Sequence, residues 1–144
     1  MKSNHGKVIV FLLAILMAVS TVSGKKALAA DTIRIGWTAD MPGIGATFYA
    51  SQKAALELFI EEANAAGGVL GKKLELVIRD SQLKPDVGAT VARELILSEK
   101  CDFLVGPTSS GVALAVTKVA QEFKKIIFFH TSNTEKLTTT DFQP

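Results

Sequence analysis

A single cysteine, Cys101, occurs in the 144 residues, so no internal disulfide can form. It opens a mostly apolar run and reads as a small buried side chain, not a nucleophile. Histidine is nearly as scarce: His5 and His130 only, with no metal-ligand spacing. There is no GxGxxG after the first strand and no GxxxxGK[ST] anywhere, which removes the common phosphate-cradling signatures. No Ser-His-Asp or Cys-His arrangement is evident. His130 two residues before Ser132 is the one pairing of base and hydroxyl, and nothing nearby would orient the histidine. Neither an internal repeat nor a low-complexity linker is found.

No apolar run reaches the ~20 residues that span a bilayer. The longest run, Val8 to Val19, has twelve residues and follows Lys2 and Lys7. Ala27-Leu28-Ala29 then offers the small-any-small pattern of signal-peptidase cleavage. Residues 1–30 are therefore expected to be a secretory signal peptide, cut after Ala29 or Ala30, and the product to be periplasmic. No cysteine lies near that point to carry a lipid anchor. Four of the 16 basic residues and none of the 14 acidic ones fall in this segment. That leaves 12 against 14, a formal net of −2, for residues 31–144. The basic balance of the whole chain belongs to the leader and gives no case for nucleic acid.

The rest of the chain reads as β-α-β-α-β-α-β. Strands are expected at Thr32–Ala39, Lys73–Asp80, Cys101–Val105 and Ile126–Phe129. The first helix follows the Asp40–Gly45 loop and runs to about Ala66, with Ala55, Leu56, Phe59, Ile60 and Ala63 as its apolar stripe; Gly67 and Gly68 end it. The second runs from Pro85 to about Lys100, with Val87, Val91, Leu95 and Ile96 inward. The third reaches about Lys125, with Ala113, Val116, Ala120 and Phe123 inward. Short connections in this order predict a doubly wound α/β fold, a parallel sheet with helices on both faces.

Ligands of such sheets sit outside the carboxyl ends of the strands. Three loops answer to that rule: Asp40–Phe48, Thr108–Gly111 and Thr131–Thr134. In the second, Thr108, Ser109 and Ser110 stand where a buried strand hands over to a helix N-terminus. Unpaired N–H groups and a positive dipole end favour an anion there, such as a carboxylate. The same residues would serve equally as ordinary helix caps. Two hydroxyl-rich loops at neighbouring strand ends could hold a carboxylate between them.

In order and spacing, IRIGWTADMPGIGATFY, IEEANAAGGVLGKKLELVIRDSQLKPDVG and FLVGPTSSGVALAV resemble the leucine/isoleucine/valine-binding proteins. These are type I periplasmic binding proteins serving ABC transporters. The resemblance covers residues 32–144, and NAAGGVLGKKLELV is its most specific piece. It implies a non-enzymatic binder of an amino acid or similar small carboxylate or amide. Its implied partners are that ligand and a membrane permease, with no cofactor, and the binder itself a monomer. By position, Ser110 matches the serine that holds the ligand carboxylate. Ser132 matches a backbone carbonyl for the ammonium, Thr134 a threonine touching both groups, and Phe48 an aromatic wall. Thr108 and Ser109 would line the Ser110 loop. The TSNTEKLT segment lacks the family's proline and is one residue shorter, and relatives bind aromatic acids, amides or urea, so the ligand stays open. Family members have two lobes, and residues 31–144 resemble the amino-terminal part of the first. A ligand-sensing module of a receptor is the alternative with the same fold.

Overall fold

A computed structural model describes residues 32–139. The expected signal peptide and its cleavage point lie outside the described residues. The chain runs β1 (Thr32–Ala39), α1 (Ile44–Ala65), β2 (Lys73–Asp80), α2 (Pro85–Leu97), β3 (Phe103–Val105), α3 (Ser110–Glu122), β4 (Ile127–Phe128) and a 3-10 turn at Glu135–Leu137. The four strands form one parallel sheet in the order β2-β1-β3-β4. β1 pairs with β2 over its whole length, Thr32 opposite Lys73 and Ala39 opposite Asp80.

Side-chain alternation along β1 sorts the core into two layers. Ile35, Trp37 and Ala39 face one way, with Val105, and pack with Tyr49, Leu56 and Ile60 of α1. On the other face Val77 and Leu104 pack with Ala92, Leu95 and Ile96 of α2 and Val112, Val116, Val119 and Ala120 of α3. The doubly wound expectation therefore holds. After β2 the chain crosses β1 to reach β3, so the winding reverses between β1 and β3, and a crevice opens where their loops part to opposite faces.

Two boundaries have clear local causes. Pro85 sits at the first turn of α2, where its missing N–H costs nothing. α1 ends in a Schellman turn: Gly68 N–H donates to Ala63 O at 2.8 Å and Gly67 N–H to Asn64 O at 3.2 Å. Gly67 and Gly68 hold φ of 103° and 83°, and a Cβ on Gly68 would lie 2.0 Å from Lys72 O. Only glycine fits both demands.

Several expected details are corrected. The α1 stripe is rotated: Ala55 is exposed and Phe59 is 56% exposed, while Tyr49, Leu56 and Ile60 meet the sheet. Phe59 stands about 100° around the helix from Ile60, so it leaves the sheet face when Ile60 enters it. β3 is shorter than Cys101–Val105. Cys101 N–H donates to Leu95 O at 2.9 Å, which makes it the exit turn of α2. α2 stops at Leu97 and α3 at Glu122; beyond them Lys100 and Lys124 adopt left-handed φ of 57° and 52°. β4 keeps two of its four expected residues, Ile126 and Phe129 falling outside.

Candidate ligand-binding site

A cavity of about 600 Å³ opens at the carboxyl ends of the strands. One wall is apolar: Ile44 and Phe48 from the first turns of α1, and Leu83 from the loop after β2. Gly45 lies between the first two, with Asp40 behind it. The opposite wall is polar, made of Thr108, Ser109 and Ser110 at the start of α3. His130, Thr131 and Asn133 close it from the segment after β4. The cavity is open to solvent: Ile44 is 74% and Phe48 42% exposed, and His130 and Asn133 are exposed as well.

Four of the six expected site residues, Phe48, Thr108, Ser109 and Ser110, line this cavity. Ser132 and Thr134 are not among the lining side chains; their neighbours Thr131 and Asn133 are. The hydroxyl of Ser132 donates to Pro107 O at 2.7 Å, and Thr131 Oγ1 donates to Thr108 Oγ1 at 3.3 Å. These bonds tie the segment after β4 to the loop after β3, so the two hydroxyl-rich loops do meet. Thr134 stands just before the 3-10 turn, whose Leu137 N–H approaches Thr134 O at 3.4 Å.

Ser109 occupies the N-cap position of α3 but makes no side-chain cap hydrogen bond. The capping alternative thus fails on geometry. The first N–H groups of α3 have no acceptor within the helix and carry its positive dipole end, so this wall suits an anion. The pairing of His130 with Ser132 does not form: His130 Nδ1 lies 3.3 Å from Thr131 Oγ1, and Ser132 is committed to Pro107. Partial burial holds the His130 imidazole below its ordinary range.

Ile44, Gly45, Leu83, His130, Thr131 and Asn133 line the cavity without having been expected site residues, and Asp40 supports it from behind. Leu83 comes from the loop after β2, outside the three loops expected to meet a ligand. His130 was noted for a different reason. Asp40 was counted only as loop, yet it is buried, with 3% exposure. Its Oδ2 accepts the Ser109 N–H at 2.6 Å and its Oδ1 accepts the Ser81 hydroxyl. An acid directly after a buried strand, at the point where loops diverge, is the signal that could have marked it.

Comparison with known proteins agrees with this fold. The model of the periplasmic binding protein family matches residues 32–143. The Leu/Ile/Val-binding protein BraC3 of Rhizobium johnstonii is 32% identical over 111 residues, covering 77% of this chain and 30% of that protein. The branched-chain amino acid transporter substrate-binding protein LivJ of Streptococcus pneumoniae, solved with isoleucine, superposes with a TM-score of 0.72 at 28% identity, over 77% of this chain and 32% of its own. A solute-binding protein of an ABC transporter from Rhodopseudomonas palustris, solved with 3,4-dihydroxybenzoic acid, gives 0.68 at 28% identity, over 75% of this chain and 29% of its own. The chain spans about a third of the length of the relatives it matches.

Proposed function

Because this chain belongs to the periplasmic binding protein family, we propose that it supplies the amino-terminal part of the first lobe of the solute-binding subunit of an ABC importer. The ligand is an amino acid of branched-chain type or a related small carboxylate or amide. The observation that carries this reading is the two-sided cavity, with apolar Ile44, Phe48 and Leu83 facing the hydroxyls of Thr108, Ser109 and Ser110. A ligand carboxylate is received at the α3 N-terminus by those hydroxyls and the free N–H groups, a charge-assisted contact. Its apolar body lies on Phe48 and Leu83. By the family pattern a ligand ammonium meets the Ser132 carbonyl, and Thr134 touches both polar ends; the two residues alternate with Thr131 and Asn133, which line the cavity. The binder is non-enzymatic and acts outside the cytoplasm, with residues 1–30 as its export signal. Its partners are the ligand and the importer's membrane permease.

Binding is strong only when a second lobe closes over the open side, because the exposed Ile44 and Phe48 wall leaves a ligand half in water. Residues 31–144 alone are expected to show no submicromolar binding of any amino acid in calorimetry.

The test is calorimetry on the complete protein as the cell makes it, with L-leucine, L-isoleucine, benzoate and 3,4-dihydroxybenzoate. At least one should bind. Ser110→Ala should weaken that ligand by tenfold or more, since a hydrogen bond to a charged group contributes roughly 1.5–3 kcal/mol. Binding of none of the four, or an unaffected Ser110→Ala, sinks the reading.

A further inference from the structure

Asp40 touches no cavity space, yet both sides of the cavity are attached to it. On one side its Oδ2 takes the N–H of Ser109, the residue that opens α3. On the other its Oδ1 takes the Ser81 hydroxyl, and that hydroxyl oxygen in turn accepts the Leu83 N–H at 3.1 Å. Leu83 itself holds a left-handed φ of 57°, a conformation that needs outside support in a branched apolar residue. The main chain of Asp40 also touches the apolar wall: a Cβ on Gly45 would lie 2.3 Å from Asp40 O. Three loops from three strands therefore converge on one buried side chain.

We propose that Asp40 is the positioning residue of the cavity: its carboxylate sets the Ser109 end of α3 and the Leu83 wall at a fixed separation. It also takes up the Ser109 N–H from another strand, so the start of α3 is anchored without calling on the Ser109 or Ser110 hydroxyl. Those hydroxyls stay available to a ligand, consistent with the missing side-chain cap. A buried carboxylate that loses its donors is costly, so the arrangement is held from both sides. The inference rests on the ligand reading above only for its second measurement.

The experiment compares the wild-type protein, in its complete cellular form, with Asp40→Ala, Asp40→Asn and Ser81→Ala. The first measurement is amide hydrogen exchange without ligand. Asp40→Ala should speed exchange at least tenfold at Ser109 and Leu83 and leave Leu104 and Ile35 in the core unchanged. Ser81→Ala should do so at Leu83 alone. The second is titration with L-leucine and benzoate. Asp40→Ala should weaken whichever binds by tenfold or more. Asp40→Asn, which keeps an acceptor for Ser109, should recover most of the loss. Unchanged exchange at Ser109 in Asp40→Ala overturns the proposal, as does uniform acceleration across the core, which would make Asp40 a general stabiliser only. If the wild type binds neither probe, it is the proposed ligand class that fails, and the exchange data still decide the role of Asp40.

Discussion

The imidazole of His130 meets the indole of Trp37 edge to face, with ring centroids 6.3 Å apart and planes at 85°. Trp37 stacks on Tyr49 from its other neighbour, at 5.4 Å and 26°. A line of rings thus runs from α1 across β1 to the cavity rim. His130 ends it as the only side chain with an ordinary pKa near neutrality among those lining the cavity.

The sign of its titration follows from burial. Burial holds the folded pKa below the ordinary imidazole value of 6.5, so the unfolded chain binds the proton more readily. Stability attached to His130 is full above pH 6.5 and is lost as pH falls through the folded pKa. Thermal unfolding between pH 5 and 8 should fall on the acid side, and His130→Gln should flatten that fall. A folded pKa above 6.5 in an NMR titration without ligand would contradict this. A bound carboxylate should move the pKa the other way, since an anion favours imidazolium. Anionic ligands should therefore bind more tightly as the pH drops.

Gly45→Ala should destabilise. Alanine is better than glycine in a helix by about 1 kcal/mol. Here the new Cβ would lie 2.3 Å from Asp40 O and 2.9 Å from Asp40 C, both backbone atoms that cannot swing aside. Overpacking of this kind costs roughly 1–3 kcal/mol, more than the helix gains. The urea midpoint should fall; a rise would mean that the Asp40 loop moves freely.

Asn64→Ala should cost about 2 kcal/mol. The Asn64 side chain donates to Leu74 O at 2.9 Å and accepts the Leu74 N–H at 2.7 Å. It thereby clamps the end of α1 to the start of β2. Two hydrogen bonds of about 1 kcal/mol each are lost, at a strand residue that is itself buried. Asn64→Asp keeps the acceptor and loses the donor, so its loss in chemical denaturation should be smaller at a pH where the new carboxylate is accommodated. Equal stability of Asn64→Ala and wild type would refute the clamp.

Cys101 should be inert in the native state. Its side chain has no exposure, and burial pushes the thiol pKa up, so thiolate is scarce. Its reaction with a thiol reagent should track unfolding and accelerate along the urea transition. Rapid labelling in native buffer would show local opening at the α2 exit.

The long elements were legible because their causes are local. β1 and β2 match their expected bounds residue for residue, each being eight residues of suitable alternation closed by turn formers. The double glycine after α1 is also a local demand, met by its positive φ values. β3 and β4 are shorter than expected because Cys101, Ile126 and Phe129 are as apolar as the strand residues beside them and do not mark where a strand stops. Leu95 O claims the Cys101 N–H and takes it out of β3, whereas Ile126 keeps a bond to the sheet, its O accepting the Leu104 N–H at 2.9 Å, but its side chain is 65% exposed. The Phe59 error has the same origin, since a helix with apolar residues on several sides does not say which side meets the sheet.

Sequence alone determined the order of elements, the parallel α/β class and the hydroxyl cluster at the start of α3. Each follows from periodicity, glycine and proline placement, or the chemistry of a helix end, which act within a few residues. Tertiary structure decided how the cavity is closed. Leu83, Asp40 and His130 come from three different strand ends, and only the register of the parallel strands brings them to Ser109 and Ser110. It also decided the face of the segment after β4. In an extended stretch alternate residues point apart, so Thr131 and Asn133 line the cavity while the Ser132 hydroxyl turns back to Pro107.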